Sequence, residues 1–124
     1  MSTWTEEDLV GIGEADELAI SPRRANGSDS RPTTIWVVRV GDDLFVRSWH
    51  GVSGAWYRRA RATGRGRIRA GGVDREVRFA EADAGLRAAV DRAYRSKYGR
   101  YGEAYVGPMV SDDAAASTLQ LIPG

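Results

Sequence analysis

Gly71-Gly72 is the feature that most narrows what this chain can fold into. On either side stand Arg65-Gly-Arg-Ile-Arg-Ala70 and Val73-Asp-Arg-Glu-Val-Arg-Phe79, two runs in which charged residues alternate with apolar ones or glycine. A period of two sends successive side chains to opposite faces of a strand, and a two-residue Gly-Gly loop is a hairpin turn. Such a loop also fixes register: Ala70 faces Val73, Arg69 faces Asp74, Ile68 faces Arg75 and Arg67 faces Glu76. One face therefore pairs Arg67 with Glu76 and Arg69 with Asp74, opposite charges across the strands. The other holds Gly66, Ile68, Ala70, Val73, Val77 and Phe79, with Arg75 as the one charge on a face that has to cover a core. A buried charge needs an answer. Here the candidates are Glu103, an acid of the N-terminal segment, or the anionic group of a ligand, unless Arg75 lies near a strand end and reaches water with its stem on the core.

A second hairpin precedes the first. Thr34-Ile-Trp-Val-Val-Arg-Val40 is a β-branched and aromatic run, Gly41-Asp-Asp43 supplies a turn, and Leu44-Phe-Val-Arg-Ser-Trp49 returns as a strand. His50-Gly-Val-Ser-Gly54 then bends the chain into Ala55-Trp-Tyr-Arg-Arg-Ala-Arg-Ala62, a run of helix formers with Ser53 as the predicted N-cap. A strand that bends into a helix start presents unpaired backbone N–H groups and the positive end of a helix dipole. Arg58 and Arg59 add formal charge one turn in, so the junction suits an anion.

The remaining elements complete an α+β pattern. Thr5 followed by Glu6-Glu-Asp8 predicts a capped helix to about Ala15, burying Trp4, Leu9 and Ile12. Leu18-Ala-Ile20 reads as a short strand closed by Pro22, and Arg23–Arg31, with Asn26-Gly27 inside it, as a long hairpin loop. Asp83 predicts a cap for a helix from Ala84 to about Tyr98, stopped by Gly99. Tyr94, Tyr98, Tyr101 and Tyr105 form an aromatic run that reads as packing between a helix and a sheet. Ser117–Ile122 closes the chain as a strand. Five to six strands with two or three flanking helices predict an α+β domain built on a small antiparallel β-barrel, closed to hide its edges.

Composition excludes several functions. At 124 residues, 42% hydrophobic and 28% charged, the chain has the makings of one globular domain over residues 1–124. No apolar run reaches the roughly 20 residues a membrane helix needs, and the start from Met1 to Asp8 lacks a signal peptide's basic and apolar regions. Without cysteine there is no disulfide, thiolate nucleophile or zinc-thiolate site. A cytoplasmic location away from membranes is the expectation. Net charge is +1, but eight arginines lie between Arg58 and Arg78 against Asp74 and Glu76. Those acids oppose two of the arginines, which argues against a nucleic-acid partner.

His50 is the only histidine, so neither a histidine metal site nor a Ser-His-carboxylate triad has its parts. Gly51-Val-Ser-Gly-Ala55 is not a nucleophile elbow, and Asp42-Asp43 and Asp112-Asp113 read as local caps. No metal ligands and no catalytic residue can be assigned. Chemistry borrowed from a cofactor remains, for which the protein supplies phosphate contacts, an apolar wall and orientation. Trp36, Trp49 and Trp56 are candidate walls, and Ser48, Ser53, Arg58 and Arg59 candidate phosphate contacts.

Ser48, Gly51, Trp56, Tyr57 and Ala62 carry a resemblance. Their spacing resembles the Ser-x-Gly-Gly…Trp-Tyr-x-x-x-x-Ala segment of the deazaflavin-dependent nitroreductase family, relatives of the pyridoxamine-phosphate-oxidase split barrels that bind FMN. Over nearly its whole length the chain also resembles an uncharacterised bacterial family that shares this barrel, through Thr34–Ser48, Trp56-Tyr57, Gly66-Arg-Ile68 and Ala93–Gly99. It departs from the nitroreductases in having Arg59-Ala60 after Arg58 and Gly64 where they often place Pro. Their Gly-Arg-x-Ser-Gly-x-x-Arg loop is only loosely echoed by Gly27-Ser-Asp-Ser-Arg31. The resemblance implies an FMN- or deazaflavin-binding oxidoreductase acting on a small molecule as a homodimer. Its cofactor-binding residues would be Ser48, Trp49, His50, Ser53, Trp56, Tyr57, Arg58, Arg59 and Arg75. The alternative is a cofactor-free barrel that binds a small anionic ligand or a protein partner.

Overall fold

The structure is a computed structural model that describes residues 3–124. Helix α1 (Glu6–Glu14) begins where the Thr5 hydroxyl accepts the Asp8 N–H, with three acids in its first turn. Strands β1 (Leu18–Pro22), β2 (Thr33–Ile35), β3 (Val37–Val40) and β4 (Asp43–Val46) follow. After the bend come α2 (Ala55–Thr63), β5 (Arg65–Ala70) and β6 (Val73–Glu81). The C-terminal part holds α3 (Arg87–Tyr98), α4 (Glu103–Met109), α5 (Asp112–Ala116) and β7 (Leu119–Pro123).

The seven strands form one antiparallel sheet in the order β2-β1-β5-β6-β7-β4-β3. Its first and last members are consecutive in the chain, separated only by Trp36, so the sheet curls into a nearly closed barrel with Trp36 at the seam. The Gly71-Gly72 hairpin has the register its length dictates, Ala70 opposite Val73 through Arg65 opposite Arg78. Inside the barrel, Leu18, Ile20, Val37, Leu44, Val46, Ile68, Val77, Leu119 and Leu121 pack with Leu9 and Ile12 of α1. A second core lies outside, where Val38 and Phe45 meet Val90, Tyr94 and Tyr98 of α3 and Val106 and Met109 of α4. Both faces of the β3–β4 hairpin are thus buried.

Several expectations change. The run Thr34–Val40 is two strands, because the chain leaves β1's edge at Ile35 and joins β4 at Val37. The returning strand stops at Val46, so Ser48 and Trp49 belong to the bend. Ser53 does not cap α2: Gly54 holds the N-cap position without a side-chain bond, while the Ser53 hydroxyl donates to the His50 carbonyl at 2.8 Å. Asp83 caps a 3-10 turn over Ala84–Leu86 rather than α3 itself. Arg67 pairs diagonally with Asp74 at 2.6 Å, because Glu76 is taken by Arg23 from the long loop at 2.5 Å. Five α-helices are present among the described residues, the unexpected ones being the short α4 and α5.

Candidate functional site

A cleft of about 450 Å3 opens beside the barrel seam. Thr33 to Trp36 form one wall, the Arg47–His50 segment another, and Gly54, Ala55 and Trp56 at the start of α2 a third, with Met109 of α4 below. Its volume lies within the roughly 300–1,000 Å3 of small-molecule sites. Three of the four tryptophans line it.

The bend that builds the cleft is held from behind. The Ser48 N–H donates to the Ser117 hydroxyl at 2.8 Å, and that hydroxyl donates to the Ala114 carbonyl at 2.7 Å, fastening the bend to α5. Gly51 has φ +62°, and a Cβ built there would lie 2.8 Å from the Asp113 carbonyl oxygen. Glycine is required for both reasons. Gly54 sits so close to Ser48 that an added Cβ would fall 2.2 Å from its hydroxyl oxygen. Beyond Gly54, α2 starts with no side-chain cap and no acid in its first turn. Its leading N–H groups and dipole end are therefore uncompensated beside the cleft.

Of the residues singled out in the sequence, Ser48, Trp49, His50 and Trp56 line the cleft together. Trp49 is half-exposed at 50%. Tyr57 turns the other way into the barrel core, where it meets Trp56 edge-on at 6.3 Å between centroids. Arg58 and Arg59 are exposed on α2 outside the lining, and Arg59 donates to the Ser30 hydroxyl at 3.2 Å. Ser53 is exposed and likewise outside the lining. Arg75 is not brought to the site: it pairs with Asp8 of α1 at 3.3 Å and lies over the Trp4 ring.

Arg47 is the charged residue of the lining, and sequence reasoning missed it. Its side chain is fully buried: Nε donates to Thr118 Oγ1 at 2.8 Å, and Nη1 donates to Asp91 Oδ1 at 2.5 Å and to the Met109 carbonyl at 2.9 Å. The guanidinium carbon lies 5.4 Å from the centre of the Tyr94 ring. Arg47 Nη2 and Tyr94 Oη are buried without a hydrogen-bond partner among the described residues. Burial drives the Tyr94 phenol well above its ordinary pKa, so it stays protonated. The signal that could have found Arg47 was a charge two residues after Phe45, on the same strand face.

A family model described as "Uncharacterized protein conserved in bacteria (DUF2255)" matches residues 8–121. The chain belongs to that family. No curated protein matches it. Among solved structures, an "F420 Reductase" superposes with a TM-score of 0.57 at 16% identity, covering 97% of this chain and 94% of its own. A FAD-binding protein from Mesorhizobium loti gives 0.56 at 14% identity, with 98% and 91% covered. A conserved hypothetical protein from Mycobacterium tuberculosis gives 0.55 at 14%, with 99% and 81% covered. These likenesses establish the split-barrel fold for this DUF2255 member. Among its described residues no helix is long and apolar enough to cross a membrane.

Proposed function

We propose that the cleft binds a flavin-type cofactor, FMN or a deazaflavin coenzyme, and that the protein is an oxidoreductase acting on a small molecule. The observation that carries this reading is the meeting of three tryptophans with an uncapped helix start in one cleft. The residues fit such a group: Trp36, Trp49 and Trp56 offer apolar faces to a planar ring, and the N–H groups from Ala55 to Tyr57 suit a phosphate. Ser48 and His50 add polar edges, while Arg58 and Arg59 place positive charge on the same helix. When bound, a flavin-type ring supplies hydride transfer. The chain's own part is to orient that ring against the tryptophans, exclude water and hold the phosphate at α2. Trp49, which lines the cleft, and Val52, on the same bend, are each half-exposed and suit a homodimer contact.

The test is a melting curve with millimolar FMN or a deazaflavin coenzyme, together with absorption and fluorescence titration. A ligand that binds only the folded state raises the melting temperature by mass action. Failure of both cofactors to raise it would sink the oxidoreductase reading. The alternative, a cofactor-free barrel binding a small anionic ligand or a protein partner, is favoured by Gly27-Ser-Asp-Ser-Arg31, which echoes the phosphate loop of the nitroreductases only loosely. Stabilisation by phosphate but by neither cofactor would select it.

A further inference from the structure

The outward face of the β5–β6 hairpin carries three cross-strand pairs of charged residues: Arg69 opposite Asp74, Arg67 opposite Glu76, and Arg65 opposite Arg78. The first two set opposite charges against each other. The third sets like charges side by side, with Cβ atoms only about 4.5–5.5 Å apart, an arrangement that destabilises a sheet. Neighbouring acids do not relieve it. Asp74 is divided between Arg67 and Arg69, Arg23 takes both Asp29 and Glu76, and Glu81 pairs with Arg61. Six arginines thus meet four carboxylates, and Arg65 and Arg78 are the two left without an ion pair among the described residues. Both are exposed, and both line one pocket of about 340 Å3. Arg23 and Glu76 share its wall, already joined to each other at 2.5 Å. This pocket takes Arg65, just beyond the C-terminal end of α2, whereas the cleft takes that helix's first residues. The nine residues of α2 put about 13 Å between its two ends.

We propose that Arg65 and Arg78 form a second ligand site, separate from the cleft, which takes a phosphoryl dianion: free phosphate or the head of a small phosphomonoester. Two unanswered positive charges are matched by a group with two negative ones, and the planar N–H fork of each guanidinium suits phosphate oxygens. A bound dianion also removes the repulsion that the hairpin register builds in. A phosphodiester carries one charge and two blocked oxygens, so the internal phosphates of a nucleic acid fit less well. Asp74 and Glu76 on the same face repel a long polyanion further. The site stands whatever the cleft binds.

The test is an NMR titration with inorganic phosphate, methyl phosphate and dimethyl phosphate at constant ionic strength, at about pH 8, where the first two are dianions. Backbone amide signals of Gly66 and Val77 should move while those of Ser48 and Ala55 stay in place. Both dianions are expected to bind about tenfold more tightly than dimethyl phosphate, as suits added hydrogen bonds to charged donors. Whichever of the two binds more tightly identifies the source of the group. At about pH 5 the dianions take up a proton, and the preference should fade. Arg65→Gln and Arg78→Gln, both at exposed positions, should each weaken methyl phosphate binding about tenfold. Without phosphate, each should leave the melting temperature level or higher, because a like-charge contact is gone. Equal binding of all three probes, affinity that survives both substitutions, or shifts confined to Ser48 and Ala55 would overturn the proposal. Stabilisation by phosphate that persists when both arginines are replaced belongs to the cleft and bears on its cofactor-free reading. Stabilisation lost in that double variant belongs to the hairpin, so the two sites stand or fall separately.

Discussion

The ring of Trp36 lies flat on that of Tyr98, their centroids 4.0 Å apart and their planes 2° from parallel. The stack fastens the barrel seam to α3, and the Tyr98 hydroxyl completes the attachment. It accepts the Val37 N–H at 3.2 Å and lies 2.8 Å from the Asp16 carbonyl, to which it donates. Tyr98→Phe keeps the ring and removes these bonds from a buried position. A loss of about 1–3 kcal/mol in urea unfolding is expected. A change below about 0.5 kcal/mol would mean that the stack alone holds the seam.

The neighbouring Lys97 makes stability depend on pH. Its ammonium donates to the Val37 carbonyl at 2.7 Å, and lost hydration pushes its pKa down to about 8 against the weaker upward pull of Asp16. Between about pH 8 and the ordinary lysine value near 10.4, the unfolded chain holds a proton that the folded chain has released, so stability rises with pH. That contribution is lost as the pH falls through 8. Tyr98, raised to about 12 chiefly by burial, acts in the opposite direction above pH 10. Melting temperatures should therefore show an upward component from about pH 8 to 9.5 that Lys97→Met removes. Native and variant curves of the same slope there would exclude this origin.

Gly51 and Gly64 offer a matched pair of left-handed glycines, with φ +62° and +70°. A Cβ on Gly64 would meet nothing within 4 Å, whereas one on Gly51 would press on the backbone of Asp113. Alanine at Gly64 should cost only the backbone conformation, about 1 kcal/mol, and alanine at Gly51 clearly more. Gly51→Ala should also weaken ligand binding, because Ser48 and Trp49 hang on the same bend. Equal losses in thermal unfolding would show that α5 yields to the added methyl.

Arg75 stands with 41% of its side chain exposed and Asp8 beside it. A pair that open to water is worth about 1 kcal/mol or less. Arg75→Met is expected to lower stability by no more than that and to leave ligand binding unchanged. A tenfold loss of binding would return Arg75 to the site.

The hairpin through Gly71-Gly72 was legible to the residue because a two-residue turn and a period of two leave no other register. The acid that answers Arg75 was legible only as a class, since Asp8 lies on a helix whose docking no local pattern specifies. Ile35-Trp36-Val37 carries no breaker, and the division there exists because two distant strands, β1 and β4, each claim half of the run. The N-cap of α2 was misplaced by one residue in Ser53-Gly54, where either can begin a helix. α4 contains Gly107 and Pro108, which read as loop chemistry, yet tertiary packing of Val106 and Met109 keeps it helical. Arg47 escaped notice because alternation alone makes it a surface residue. Only α3, more than forty positions further along, turns that surface into an interior.

Trp36 is both the joint at which the sheet's two ends meet and a wall of the cleft. A molecule seated against it braces the joint from outside while Tyr98 braces it from the helix side. Occupancy of the cleft should then register far from the ligand, as slower amide hydrogen exchange along β2 and β3, whose opening requires that one residue to swing free.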